Sequence, residues 1–266
     1  MKYFQHPLRT IATWVVAATL VSSAALHAQT PIADYQLQGN YNNSAVGTVG
    51  MLSTIGTGNT FVTATVNGQS QQVLNVPSGS GVQTPASPFA AADQGTYSVV
   101  LLSSLNTSTS VTTKVFDFKN FTTDAGLYIN GATGFLQFID NTSTVIVGGT
   151  GLVPITSGTY FQLTLTRTAA GLVTGYQGGT QSFQFTDSGN LATLGTVLSI
   201  FKDDNIGTNI EDSSGTIARV RLYNDVLTPA QVALLAAVPE PSAWVILVGG
   251  ALMLGVAARR FGHSWA

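Results

Sequence analysis

The densest group of hard oxygen ligands in this sequence is Asp203-Asp204-Asn205, with Glu211-Asp212 following closely. Carboxylates and an amide on one loop suit calcium, which takes about six to eight oxygens. The spacing departs from an EF-hand, because Gly207 and Glu211 fall out of step with that loop's glycine and closing glutamate. Lys202 lies against the cluster and brings competing positive charge. Two readings stay open for Asp203, Asp204, Asn205, Glu211 and Asp212: a calcium site, or a solvated acidic loop. Asp140-Asn141 is a smaller candidate of the same kind.

Other chemistries are excluded by missing residue types. No cysteine occurs, so there is no disulfide, thiolate metal site or sulfur nucleophile. The histidines are His6, His27 and His263, all near the ends of the chain. The long interior therefore lacks an imidazole for a Ser-His-Asp triad, a zinc site or a general base. A glycoside hydrolase normally flanks the scissile bond with paired carboxylates. Between residues 29 and 238 Glu211 is the sole glutamate, Asp117 and Asp124 stand apart, and no expected strand carries alternating acids. Glycoside hydrolysis is thus the weakest alternative, and no catalytic residue is assigned. In the same span six basic side chains face eleven acidic ones, leaving five net negative charges. That balance does not suit a nucleic-acid partner. Thr, Ser, Asn, Gln and Gly fill the polar positions, as on exported β-rich surfaces. Their hydroxyls and amides also suit hydrogen bonding to sugars. Tyrosines are spread from Tyr35 to Tyr223, and each reads first as a core ring with its hydroxyl at an edge.

The elements that must position these residues read as strands. Residues 160–167 alternate most clearly, with Phe161, Leu163 and Leu165 inward and Gln162, Thr164 and Thr166 outward. Residues 61–66 and 71–76 flank Asn67-Gly68, a hairpin signal, and 172–177 and 181–185 flank Gly178-Gly179. Residues 35–38 alternate as well. In 114–118, alternation places Val115 with Asp117 on one face and Phe116 with Phe118 on the other. Further strands are expected over 97–102, 127–129, 135–139, 144–147, 197–201 and 217–223. Residues 77–88, rich in Ser, Gly and Pro, read as a loop. A helix is expected after Thr228 as N-cap, with Pro229 in its first turn. Many short strands with frequent turns predict an all-β, two-sheet antiparallel sandwich.

The two ends read differently. Residues 1–28 have the form of a secretory signal: Lys2 and Arg9, an apolar run over 11–26, then small residues at Ala28, with Ser22-Ser23-Ala24 as a second cut. An uncleaved anchor is the alternative. At the other end Pro239 and Pro241 keep an extended, exposed segment before the uncharged run 243–258. That run is a little shorter than the roughly 20 residues a spanning helix needs. Trp244 suits one interface, and Arg259-Arg260 suits the cytoplasmic side. A transmembrane helix is expected, inserted before any processing.

Pro239-Glu240-Pro241, an apolar helix and Arg259-Arg260 in this order resemble the PEP-CTERM sorting signal of Gram-negative bacteria. The resemblance implies an exosortase-type membrane protease as partner, removal of the tail, and a destination in the cell envelope, at the cell surface or in the extracellular matrix. Such bacteria usually make exopolysaccharide.

A second resemblance covers roughly residues 34–237. Residues 215–224 (Gly215 to Asn224) with Leu227-Thr228-Pro229-Ala230-Gln231-Val232 resemble the closing strand and helix of a laminin-G-like, concanavalin A-like domain. Residues 159–167 and Val173-Thr174-Gly175-Tyr176-Gln177-Gly178-Gly179 resemble its central hairpin, although Gln177 stands where relatives carry Asp or Asn. The resemblance implies a jelly roll that binds glycans or proteins, often with calcium at a rim. The expectation is a signal peptide (1–28), one laminin-G-like sandwich (29–237) and a sorting signal (238–266). The sandwich is expected to be a non-catalytic module for extracellular polysaccharide. The alternative is a structural matrix or biofilm protein without a specific ligand.

Overall fold

Alternating apolar residues need a second layer to bury them, and the chain supplies it with two antiparallel sheets. The computed structural model describes residues 29–47, 49–86, 89, 93–106, 111–150, 152–194, 197–204 and 211–237. The signal segment 1–28, Pro239, Glu240, Pro241, the apolar run 243–258, Arg259 and Arg260 lie outside them. No helix among the described residues is long and apolar enough to cross a membrane.

The strands in chain order are β1 (Ala33–Tyr35), β2 (Ser53–Ile55), β3 (Thr60–Val66), β4 (Gln69–Val76), β5 (Gly81–Gln83), β6 (Tyr97–Leu105), β7 (Thr113–Asp117) and β8 (Gly126–Ile129). They continue with β9 (Leu136–Ile139), β10 (Val145–Gly148), β11 (Tyr160–Arg167), β12 (Leu172–Gln177), β13 (Thr180–Thr186), β14 (Ser199–Ile200) and β15 (Gly215–Tyr223), then helix α1 (Pro229–Ala237). One sheet runs β13-β12-β11-β6-β15-β4-β3, with β1 also on β15. The other runs β10-β9-β8-β7-β14-β5-β2. β15 pairs with β6 along one side; on its other side Gly215–Ile217 meet β4 and Val220–Leu222 meet β1.

Sequence alternation determines what faces inward. Val99 and Leu101 of β6, Leu163 and Leu165 of β11, and Val220 and Leu222 of β15 share one core with Phe116, Leu127, Ile129 and Phe138 of the second sheet. Asn67 and Gly68 adopt φ of 49° and 81°. That left-handed pair is what a two-residue hairpin with matching twist requires. Thr228 caps α1: its hydroxyl accepts from Gln231 N (3.3 Å), and Gln231 Oε1 accepts from Thr228 N (2.8 Å). This reciprocal pair satisfies two backbone donors left open at the helix start.

Four local expectations are corrected. β1 stops at Tyr35 rather than running to residue 38, because Leu37 takes φ 53° and tucks its buried side chain into the core. The expected loop 77–88 contains β5, whose three residues gain their rungs from β2 and β14 on either side. β14 is shorter than 197–201, since Phe201 turns away at φ 72°. Val115 joins Phe116 and Phe118 in the core instead of sharing a face with Asp117. A bulge between Lys114 and Phe116 resets the alternation there.

Candidate functional site

That bulge has a chemical result. It turns Lys114 and Asp117 to the same side of β7, away from the core, with Lys114 Nζ 3.3 Å from Asp117 Oδ2. Lys114 Nζ also lies 2.9 Å from Asp203 Oδ1 and 5.1 Å from the centre of the Tyr128 ring. The lysine is fully buried. A buried ammonium is tolerated only with close counter-charge and satisfied donors. Asp117 Oδ1 in turn accepts from Lys119 N (3.1 Å) and Phe121 N (3.0 Å).

The left-handed turn at Phe201 is followed by Asp203, whose carboxylate reaches this lysine. Asp212 accepts from Lys202 Nζ at 2.9 and 3.0 Å and from Asp203 N at 2.7 Å. Asp203 Oδ2 accepts from Glu211 N (3.2 Å), Glu211 O from Lys114 N (2.7 Å), and Lys114 O from Ser213 Oγ (2.7 Å). Asp124 completes the group: its carbonyl oxygen and Oδ1 accept from the Tyr128 hydroxyl at 2.8 and 3.2 Å, and Ser143 Oγ donates to its Oδ2.

The structure therefore brings four of the expected ligands, Asp203, Asp204, Glu211 and Asp212, to one place, while Asn205 lies outside the described residues. Carboxylate oxygens of Asp124, Asp203 and Asp204 lie within 4.8 Å of one another. They are the residues that would hold a cation. Lys114 already supplies positive charge at Asp203, and Asp212 is engaged by Lys202. Asp140 takes no part: its Oδ1 accepts from Thr142 N (2.8 Å) and Thr144 N (2.9 Å) within its own turn.

Burial and neighbouring negative charge both show in Glu211. Burial, then the Asp203 and Asp124 carboxylates, push its carboxyl up to about 7. Burial also raises Asp117, against the pull of Lys114. A folded-state value above the unfolded one means the native protein holds its proton more tightly. Stability should therefore fall as pH rises from about 4.5 to about 7 and level off above. Glu211 is half-exposed, so solvent screening reduces the expected loss to roughly 1–2 kcal/mol. Thermal melts across this range should show the decline in the parent protein and a flatter profile in Glu211→Gln.

The second site was not assigned from the sequence. On the outer face of the eight-stranded sheet, Val100, Tyr176, Tyr223, Leu227 and Val232 form a small separate core beneath α1. Val66, Val73 and Ala218 form another, with Leu102 and Tyr160 against it. Between them lies a groove of about 780 Å³. β15 sends Arg219 and Arg221 to it, since Val220 and Leu222 point to the main core. Arg219 grips Asp34 with two bonds, Nε to Oδ1 at 2.7 Å and Nη2 to Oδ2 at 2.5 Å. Arg221 is 3.7 Å from Asp34 Oδ1, beyond hydrogen-bonding distance. At the groove's other wall Gln162 turns its amide to donate to Leu235 O (3.0 Å) and accept from Ala236 N (3.3 Å). The alternation Arg219-Val220-Arg221-Leu222 was the available signal: two arginines two residues apart on one strand share a face.

Comparison with solved structures places the sandwich among known folds. Domain 4 of AbnA, a GH43 extracellular arabinanase from Geobacillus stearothermophilus solved in complex with arabinotriose, matches 78% of this chain and 98% of its own, with TM-score 0.60 and 21% identity. The binding domain of Paraclostridial Mosquitocidal Protein 1 matches with TM-score 0.57 and 10% identity, over 78% of this chain and 52% of that one. A structure of botulinum neurotoxin type C, which depends on interaction with two ganglioside molecules to enter cells, matches with TM-score 0.54 and 12% identity, over 78% and 50%. The chain thus spans about half the length of the two toxin structures. No protein-family model matches the sequence, and no curated protein matches it.

Proposed function

We propose that this chain is an exported surface protein whose laminin-G-like sandwich is a non-catalytic module for polysaccharide, sorted by an exosortase-type protease through Pro239, Glu240 and Pro241. The observation that carries the binding reading is the groove on the outer face of the eight-stranded sheet. Planar side chains line it (Tyr160, Tyr223, Gln177 and Arg221), beside apolar Leu234. This mixture suits a sugar ring, which offers C–H faces to apolar surface and hydroxyls to amides. The likeness to domain 4 of the arabinanase, solved with arabinotriose, supports the same reading. Five of the described carboxylates, on Asp34, Asp117, Asp187, Asp203 and Asp212, are ion-pair partners of a lysine or arginine.

A glycan-array screen of the purified chain, run with calcium and again with chelator, tests this. Saturable binding to one glycan class is the expected result. Loss of that binding with chelator would assign a calcium role to Asp124, Asp203 and Asp204. Absence of binding in both conditions would overturn the binding reading.

A structural matrix role is favoured by one specific observation. β3 is a sheet edge, pairs on one side with β4 in unbroken register, and reads Thr60-Phe61-Val62-Thr63-Ala64-Thr65-Val66 without charge or proline. Such an edge lacks the usual protection against pairing with another strand. Self-association of the purified protein together with an empty glycan screen would support this reading.

A further inference from the structure

We infer that the outer-face groove selects an acidic polysaccharide, recognising a sugar carboxylate through Arg221; this rests on the polysaccharide-binding reading above and names its ligand class.

The argument starts from charge. Residues 29–237 carry six basic side chains and eleven acidic ones. Four of the six lie close to a carboxylate: Lys114 at 2.9 Å, Arg167 at 3.1 Å, Lys202 at 2.9 Å and Arg219 at 2.5 Å. Lys119 donates to the carbonyl oxygen of Asn190 (2.7 Å). Arg221 differs. Its nearest carboxylate oxygen, on Asp34, is 3.7 Å away and is already held by Arg219 at 2.7 Å. Among the described residues the charged groups lining the groove are Asp34, Arg219 and Arg221, a net charge of +1 on an otherwise acidic domain. A guanidinium with its five N–H donors suits a planar carboxylate, which it can grip with two bonds. Its side chain is 18% exposed, so a bond formed there is only partly screened by water.

The groove's acceptors point to the same ligand. Gln177 donates its amide nitrogen to Val153 O (2.6 Å), which aims the amide, but its Oε1 is buried without a partner. Gln29 Oε1 is also buried without a partner, and it too lines the groove. Buried acceptors left open are costly, and a ligand hydroxyl would satisfy them. One wall thus offers open acceptors, and the other offers Arg221, whose guanidinium has the Tyr223 hydroxyl as hydrogen-bond partner and Asp34 at 3.7 Å, with donors to spare for an anion. A uronic acid residue presents both, hydroxyls and a carboxylate on one ring. Arg219 is kept out of this contact by its two bonds to Asp34 and serves to neutralise that carboxylate, so that Asp34 does not repel the ligand.

The test uses three polysaccharides on the purified full chain: polygalacturonate, the same polymer with its carboxyls methyl-esterified, and neutral arabinan. Polygalacturonate should bind saturably and weaken with added salt. Esterification should reduce binding on the order of tenfold to a hundredfold, the worth of a charge-assisted contact. Arg221→Gln should lose the preference for the free acid, while Arg221→Lys should keep part of it. Equal binding of free and esterified polymer, or binding of arabinan alone, would overturn the carboxylate inference and leave the polysaccharide reading standing. No binding to any of the three, together with an empty glycan array, would overturn both. The esterification comparison needs only the parent protein, so it decides the matter even if an Arg221 variant folds poorly.

Discussion

Replacing Lys114 by methionine should destabilise the fold by about 3–5 kcal/mol, the usual cost of removing one partner from a buried ion pair. Methionine fills similar space, so the loss does not come from a cavity. It comes from Asp117 and Asp203, whose carboxylates stay buried without the ammonium at 3.3 and 2.9 Å. Denaturant unfolding should show a lower midpoint with an unchanged slope. The deficit should be largest near neutral pH and smaller in acid, where Asp117, whose carboxyl burial already raises, can take up a proton. Added calcium offers a further readout. If it restores the variant and leaves the parent unchanged, metal and ammonium compete for the same oxygens. A deficit that does not depend on pH would show that Lys114 acts by packing alone.

Phe138→Ala should cost a similar amount, about 3–5 kcal/mol, for a different reason. Phe138 on β9 stands between the sheets. Its ring lies 6.1 Å from Phe118 in a stacked arrangement and 4.9 Å from Phe185 of β13 in the opposite sheet. Phe183, on the same strand as Phe185, extends the row. Alanine would leave a void at the seam where β10 and β9 approach β13, and rings fixed from two sides cannot collapse into it. Leucine at the same position should recover part of the loss, since it refills much of the volume. A drop below 1 kcal/mol for the alanine variant would mean that the two sheets re-pack freely at this edge.

These two residues also mark how far the sequence could be read. Long alternating runs were partly legible: in β11, Leu163 and Leu165 join the main core, whereas Thr164 and Thr166, expected to point outward, are buried as well. The hairpins at Asn67-Gly68 and Gly178-Gly179 were legible because positive φ restricts the residue types. The helix start was legible from Thr228 and Pro229. Short elements were not. β5 and β14 hold three and two residues, too few to show a period, and they exist only because neighbours supply their hydrogen bonds. A bulge leaves no periodic mark either, so Val115 was placed on the wrong face and Lys114 could not be seen as the centre of the acidic group. The clustering of Asp203, Asp204, Glu211 and Asp212 was legible from their nearness in sequence. The addition of Asp124 was not, since tertiary folding alone brings it there. The arginine pair of β15 was visible as alternation, but the groove it enters depends on α1 folding back over the sheet.

The position of β15 has a mechanical consequence. Any pull on the chain beyond Ala237 passes through α1, whose Val232 and Leu235 pack on Tyr223, into the end of this strand. β15 is flanked by β6 on one side and by β4 and β1 on the other. A lengthwise load therefore strains the rungs on both flanks together, instead of opening them one after another as at a peeling edge. The domain should resist tension applied from that end far better than tension that strips β3 from its border.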